Sequence, residues 1–172
     1  MEVNTNELQQ NCENWASIDG YRNYEVSWWG RVRNTKTGRI LKPGTSGPGY
    51  LFVRLSKNGN VKCASIHQLV AREWVGNPEA KRCVDHIDND KTNNNYENLR
   101  YATYTENKQN AKKTSKPTSS IYKGVCYSKG AVKWKSKIAF GGKEKHLGYF
   151  TSEREAAEAY NAAAVLHYTN FA

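Results

Sequence analysis

The chain has 172 residues, of which 24% are charged and 12% aromatic, and this composition excludes a disordered protein. The length allows one ordinary domain or two to three small modules. A net charge of +10 and an isoelectric point near 9.4 predict a polyanionic partner, nucleic acid first and an anionic membrane surface second.

The cysteines and the first residues indicate the compartment. Cys12, Cys63, Cys83 and Cys126 form no C-x-x-C pair, so we expect free thiols and no structural zinc site. The first 20 residues are acidic and polar, which predicts no signal peptide, and no apolar run approaches the roughly 20 residues that span a bilayer. We therefore expect a soluble, intracellular protein in the cytoplasm or nucleoid of its host.

Residues 1–14 are predicted to be a leader and residues 15–60 a first module. Short β-prone runs in this module are separated by turn signals such as Asn58-Gly59, a pattern typical of a small antiparallel sheet. The runs are Tyr24–Ser27, Arg31–Asn34, Arg39–Lys42 and Tyr50–Leu55.

Residues 61–110 are predicted to form a second module. Ile66, Leu69, Val70 and Trp74 lie at helical spacing, and Asn77-Pro78 ends that helix. From residue 83 to residue 110 the pattern predicts a short strand, an Asn/Asp-rich loop, a second strand and a helix.

Residues 111–120 are predicted to be a linker, and residues 121–172 a third module of three strands and one helix, so the fold class is α+β. The strands are Val125–Tyr127, Trp134–Phe140 and Lys145–Phe150. The helix begins at Ser152, where Ser152 and Glu155 suit a capping box, and ends near His167. Its apolar face is predicted to comprise Ala156, Tyr160, Ala163 and Ala164.

The positive charge is concentrated rather than spread. Between Lys108 and His146 there are 11 lysines, no arginine and one acid, Glu144, so this stretch carries 11 − 1 = +10. The other residues balance at 15 basic and 15 acidic side chains. Soluble surfaces usually mix both signs, so this segment is the expected binding surface.

A second cluster could carry chemistry. Asp85 and His86 end the predicted first strand, and a capping box of Thr103 and Glu106 would place Asn107 in the next helix. A carboxylate and an amide suit a hard cation such as Mg²⁺, and an imidazole titrates near neutrality. This set fits metal-assisted phosphodiester cleavage.

Simpler interpretations compete with this one. An EF-hand is rejected because Asn93 and Leu99 stand where that loop requires Gly and Glu. Asn93–Asn95 is expected to be only a turn, and His67 a structural residue between sheet and helix. His86 alone would more often be a core histidine; its combination with Asp85, Asn98 and Asn107 favours catalysis. His146 and His167 are assigned no chemistry.

These residues resemble the HNH nuclease motif of phage and intron-encoded homing endonucleases. The similarity includes Asp85-His86, Asn98-Leu-Arg, Asn107 and the preceding I-H-Q-L-V-A-R-E-W of residues 66–74. The resemblance implies that His86 is the general base, that Asp85 and Asn107 bind one Mg²⁺ or Mn²⁺, and that Asn98 holds the loop and orients His86. It also implies a ββα-metal core.

The flanking modules carry resemblances of their own. W-A-S-I-D-G-Y-R-N-Y-E-V-S-W-W-G-R-V-R-N, residues 15–34, resembles the module that often precedes HNH motifs, which makes Arg31 and Arg33 candidate DNA contacts. Y-K-G-V, W-K-S-K-I and H-L-G-Y-F resemble the APETALA/ethylene-response DNA-binding domain, a three-stranded sheet on one helix. The candidate contacts in that domain are Lys123, Lys129, Lys133, Trp134, Lys135, Lys137 and Lys145.

The sequence therefore predicts a metal-dependent, site-directed endonuclease of double-stranded DNA that acts as a monomer or weak dimer, without a membrane or small-molecule partner. A catalytically inactive transcriptional regulator is the alternative. An RNA-binding or RNA-cleaving protein is a further one, because lysine charge does not distinguish RNA from DNA. A membrane-surface role is the weakest, since the lysines fall on strand-like sequence.

Overall fold

The computed structural model describes residues 13–111 and 119–168. Most of the predicted leader and most of the predicted linker therefore lie outside the described residues. The chain divides into two compact units, residues 1–103 and residues 104–172. The boundary falls inside the predicted second module, just before the helix that carries Asn107.

The first unit begins with two small antiparallel sheets. The first contains β1 (Trp15–Ser17), β2 (Tyr24–Ser27) and β3 (Val32–Asn34), in that order. The second contains β4 (Gly44–Thr45), β5 (Leu51–Lys57) and β6 (Asn60–Ser65), also in order. Asn58 and Gly59 both have positive φ, at 51° and 78°, so they form the tight turn between β5 and β6.

One expected strand in this region is absent, and three strands were not predicted: β1, β4 and β6. The run Arg39–Lys42 forms only an isolated bridge between Ile40 and Arg33. The strand β6 gave no clear signal because its apolar Val61 and Cys63 are exposed and face no core. Its residues pair with β5 along the whole hairpin, and this pairing forms the strand although the composition does not predict one.

The rest of the first unit is a helix and a hairpin. Helix α1 (Ile66–Trp74) buries Ile66, Leu69 and Val70 on one face, as its spacing predicts. Strands β7 (Cys83–His86) and β8 (Leu99–Ala102) pair antiparallel and are joined by a loop with a short 3-10 turn at Tyr96–Asn98.

One hydrophobic core serves both sheets, α1 and β8. Its most buried members come from all of these elements: Val26 and Val32 from the first sheet, Val53 and Leu55 from the second, and Val70 from α1. Each such side chain contributes about 1.5–3 kcal/mol when fully buried. The core therefore runs without interruption across residue 60, where the sequence suggested a module boundary.

The second unit starts with helix α2 (Tyr104–Asn110) and continues with β9 (Val125–Ser128), β10 (Lys133–Phe140), β11 (Lys143–Phe150) and helix α3 (Glu153–Tyr168). The strands form one antiparallel sheet with β10 in the centre. Ala156, Tyr160, Ala163 and Ala164 are buried, as the predicted apolar face of α3 requires.

The predicted capping box of α3 is confirmed. The Glu155 amide donates to Ser152 Oγ at 3.1 Å, and the Ser152 amide donates to Glu155 Oε2 at 3.3 Å. Neither this helix nor any other within residues 13–111 and 119–168 has the length and apolarity to cross a membrane.

Candidate active site

The β7–β8 hairpin places the candidate catalytic residues at its loop end. Asn98 bridges that loop: its Nδ2 donates to Asp88 Oδ1 at 2.9 Å and to the Asn93 carbonyl at 2.8 Å, while its Oδ1 accepts from the Asp88 amide at 3.1 Å. These three bonds join both ends of the loop. Asn98 thus stabilises the loop that follows His86.

The His86 ring is buried, with 4% of its surface exposed, and Asn94 is its hydrogen-bond partner. His86 Nε2 lies 3.2 Å from Asn94 Oδ1. Asn94 Nδ2 donates to the Thr92 carbonyl at 3.1 Å, which turns the amide oxygen toward the imidazole. Because an amide oxygen only accepts, His86 Nε2 is the donor in this bond, which leaves Nδ1 as the nitrogen that can carry a lone pair.

Two aromatic rings pack beside His86. The His67 centroid lies 5.3 Å and the Tyr50 centroid 5.9 Å from that of His86, and the two neighbours are 5.0 Å apart. Burial, with a smaller contribution from the charge of His86, lowers the pKa of His67 to about 4. His67 Nδ1 is buried and has no hydrogen-bond partner among the described residues. His67 is therefore neutral at physiological pH, in keeping with a structural role.

Asp85 is also buried, at 5% exposure, and pairs across the hairpin with Arg100. Arg100 Nε lies 3.0 Å from Asp85 Oδ2. A buried carboxylate needs such a cationic partner, and a divalent cation could share this role because carboxylate oxygens are its preferred ligands. Within the described ranges no three His, Cys, Asp or Glu residues group as a metal site, so amide and water oxygens would have to complete the ligands.

Asn107, the second expected metal ligand, lies on α2. This helix belongs to the second unit, whereas Asp85 and His86 belong to the first. The sequence predicts all three residues in one module, residues 61–110.

The two candidate DNA-contacting arginines are engaged by acids. Arg31 forms a two-pronged ion pair with Glu13, and Arg33 Nε and its terminal nitrogen both lie 2.7 Å from Glu25 Oε2. Both guanidinium groups also lie near the ring of Trp15, at 5.8 and 4.3 Å from its centroid. Their charge is largely balanced within the first sheet.

The lysines of β10 have different surroundings. Lys133, Lys135 and Lys137 alternate with Trp134, Ser136 and Ile138 along the strand, so the two sets lie on opposite faces of the sheet. We call β9–β11 the lysine sheet. Among the described residues, only Lys137 of the three forms an ion pair, with Glu144 at 2.8 Å. Lys129 and Lys145 are exposed.

Two other candidate contacts are used internally. Trp134 packs against the cluster of Val125, Ala156 and Ala157, so its ring belongs to the core beneath the sheet and not to the lysine face. The role of Trp134 as a DNA contact stays a prediction, and this packing does not favour it.

Lys123 Nζ donates to the carbonyls of Lys108, Gln109 and Ala111 at 3.2, 2.5 and 2.8 Å. Burial lowers the pKa of this amine. Its ammonium therefore caps the carboxyl end of α2.

Sequence reasoning missed three neighbours of the site: Tyr50, Asn94 and Arg100. Asn94 was taken as part of a turn because an Asn run is typical of turns. Only its burial, at 4% exposure, sets it apart from exposed Asn93. The sequence indicated Arg100 only indirectly. It follows Leu99 on a predicted strand, and that strand pairs with the one that carries Asp85.

Two family models match the chain. The NUMOD4 motif model matches residues 13–56, and the HNH endonuclease model matches residues 64–109. Both matches end before the lysine sheet begins.

Proteins of viruses and phages are similar to this chain. An uncharacterised HNH endonuclease of Acanthamoeba polyphaga mimivirus is 40% identical over 97 residues, 56% of this chain and 29% of that protein. The DNA endonuclease I-HmuI of Bacillus phage SP01 is 38% identical over 56% of each chain. The H-N-H endonuclease F-TflII of Escherichia phage T5 is 30% identical over 145 residues, 83% of this chain and 74% of that one.

A solved structure also matches. It is that of I-HmuI, described as an HNH homing endonuclease that binds and cleaves DNA, and it aligns with a TM-score of 0.52 and 38% identity over 56% of each chain. The chain spans less than two thirds of the length of the mimivirus protein and of I-HmuI, and about three quarters of F-TflII.

Proposed function

Because the chain belongs to the HNH endonuclease family, we propose that it is a metal-dependent endonuclease that cleaves or nicks double-stranded DNA at particular sites, as a homing endonuclease. The observation that carries the proposal is the state of His86. Its ring is buried, its tautomer is set by Asn94, and it directly follows Asp85 at the loop end of the β7–β8 hairpin.

In this proposal His86 is the general base. Its Nδ1 accepts a proton from a water molecule, and the hydroxide attacks the phosphorus in line. The bond from phosphorus to the 3′ oxygen breaks, that oxygen takes a proton from solvent, and the product keeps a 5′ phosphate. Neutral His67 and Tyr50 pack against the imidazole without competing for the proton.

Asp85 and Asn107 are the proposed ligands of one Mg²⁺ or Mn²⁺. A carboxylate and an amide oxygen fit a hard divalent cation that keeps several waters. When bound, such a cation supplies positive charge against the charge that develops on the phosphate and the departing oxygen. Arg100 holds the Asp85 carboxylate through Oδ2, and Asn98 holds the loop that follows His86.

The lysine sheet is the proposed DNA-binding surface, as an APETALA-type domain. Lys129, Lys133, Lys135, Lys137 and Lys145 are expected to contact mainly phosphates, because an ammonium is a point charge and lacks the two-pronged geometry that selects guanine. Lys123, Arg31 and Arg33 would contribute only after giving up their internal partners. Tethering this surface to the nuclease raises the local DNA concentration at the nuclease. We propose that the protein acts inside the cell as a monomer or weak dimer.

A cleavage assay tests the proposal. Supercoiled plasmid carrying a cloned library of duplex sites is incubated with the full chain while Mg²⁺ or Mn²⁺ is titrated. We expect metal-dependent nicking or linearisation, and a loss of about 10²- to 10⁴-fold in His86→Ala with unchanged DNA affinity. His167→Ala, which lies outside the cluster, is the matched control and should cleave normally.

The outcomes separate the alternatives. DNA binding without cleavage at any metal concentration would indicate the inactive regulator. Stronger competition by duplex RNA than by duplex DNA would indicate an RNA-directed protein.

A further inference from the structure

The turn between β2 and β3 contacts the loop of the candidate active site. The Trp28 carbonyl accepts a hydrogen bond from the Tyr96 amide at 2.8 Å. The Trp28 and Tyr96 rings stack with centroids 5.8 Å apart and an interplanar angle of 15°. The first sheet therefore binds the loop by its backbone and by an aromatic contact, two residues away from Asn94.

Gly30 approaches Asn94 more closely than any other residue type could. Its φ is +84°, and a Cβ built on it would lie 2.7 Å from Asn94 Cβ, 3.2 Å from the Asn94 carbonyl oxygen and 3.3 Å from Ile66 Cγ2. Real Cβ atoms do not approach another carbon at 2.7 Å, so a side chain here would displace Asn94 or the turn. The glycine thus fixes how deeply Asn94 sits.

Asn94 in turn bonds to the imidazole. Its side chain is fixed at one end by the Thr92 carbonyl and at the other by His86 Nε2. With 4% of its surface exposed, it has little access to water as a substitute partner. A shift of Asn94 would therefore alter the orientation and the tautomer of His86.

We propose that the first sheet positions the general base: the Trp28–Gly30 turn fixes Asn94, and Asn94 holds the His86 ring with its lone pair on Nδ1. This rests on the proposed function, since it assigns positioning residues for the same reaction. The Trp28–Gly30 turn of the module matched by the NUMOD4 model then supports catalysis through Asn94.

Asn94 variants provide the direct test. Asn94→Leu keeps the size but removes the acceptor, and we expect cleavage at saturating DNA and metal to fall about 30- to 100-fold. Asn94→Asp keeps the acceptor and should retain activity within about 10-fold. The readout that separates positioning from a merely structural role is this rescue: Asn94→Asp should cleave faster than Asn94→Leu although the two variants bind DNA equally in EDTA.

Gly30→Ala tests the link to the first sheet, and Gly38→Ala is its matched control. Gly38 has a similar φ of +69°, but a Cβ there would meet nothing within 4 Å. Both substitutions strain the backbone alike, and only the first pushes on Asn94. We expect cleavage to fall about 10-fold more in Gly30→Ala than in Gly38→Ala, with DNA affinity in EDTA equal in the two variants.

Each outcome decides the proposal. Equal cleavage by Gly30→Ala and Gly38→Ala would show that the first sheet does not position the base. Wild-type cleavage by Asn94→Leu would show that Asn94 does not position it. If Gly30→Ala does not fold, the pair Asn94→Leu and Asn94→Asp still decides whether the base is positioned. Failure of the proposed function looks different, because the wild-type chain would then not cleave or His86→Ala would cleave normally.

Discussion

Basic side chains occur in both units, but their surroundings differ. In the first sheet Arg31 and Arg33 are paired with Glu13 and Glu25, whereas on the lysine sheet Lys133 and Lys135 have no ion pair among the described residues. A paired cation must lose its partner before it contacts a phosphate, and an exposed lysine loses only water. We therefore expect the general base and its support in the first unit and polyanion binding in the second.

The largest expected effect is on DNA affinity. Replacing Lys129, Lys133 and Lys135 with Gln should weaken binding about 10²- to 10³-fold at 50 mM salt and reduce the slope of log affinity against log salt by about 3. The wild-type chain should lose roughly 10³-fold between 50 and 200 mM salt. Fluorescence anisotropy over a salt series measures both. An unchanged slope would show that the lysine sheet does not contact the DNA phosphates.

The next effect concerns the stability of the first unit at acidic pH. The folded-state pKa of His67, about 4, lies below the ordinary 6.5 of an unfolded histidine. The unfolded state therefore binds the proton first, and stability is lost as pH falls from 6.5 toward 4. The loss approaches about 3 kcal/mol, or roughly 10²-fold in the unfolding equilibrium. Denaturant unfolding of the wild type and of His67→Phe measures this effect. As the pH falls from 6.5 toward 4, the free energy of unfolding should decrease more in the wild type than in the variant.

Lys123→Met should act on stability more than on binding. It removes the ammonium from the end of α2 and should destabilise the second unit by about 1 kcal/mol, or about 5-fold in the unfolding equilibrium. Hydrogen exchange should increase at residues 104–111. Lys129→Met is the matched control and should lower DNA affinity more than Lys123→Met; the reverse order would show that Lys123 contacts DNA.

The smallest effect is expected at the paired arginines. Changing both Arg31 and Arg33 to Gln should lower DNA affinity less than about 3-fold, since their charge already serves Glu13 and Glu25. A loss as large as that of the lysine triple variant would place the interface on the first sheet instead.

Local sequence patterns predicted the helices and strands better than they predicted which side chains contact one another. The spacing of α1 and the strand–loop–strand of β7 and β8 could be predicted, because burial of one face sets an apolar period along the chain. The exposed strand β6 lacks such a period. Asn98 was expected to hold the loop and orient His86. It bonds within the loop, and the amide beside the ring is that of Asn94, because the loop conformation, and not the spacing, decides which amide faces the ring.

The position of Trp134 shows a second limit. Aromatic residues between lysines are typical of both a nucleic-acid surface and a sheet packed on a helix. The face of the sheet on which the Trp134 side chain lies decides between these two roles. Only the packing of α3 against one face of the sheet determines which face that is. Likewise, nothing in the sequence of α2 indicates that it belongs to the second unit.

The continuous core across residue 60 has a consequence for protein engineering. A chimera joined at that point would sever Val26, Val32 and Leu55 from Val70, leaving apolar surface on both fragments. Exchange of DNA-recognition parts between related enzymes is better attempted within residues 111–120, which keeps the Asn94 support intact. Because Lys123 lies just beyond that junction, a graft should carry a lysine at the equivalent place to cap α2, which the recipient keeps.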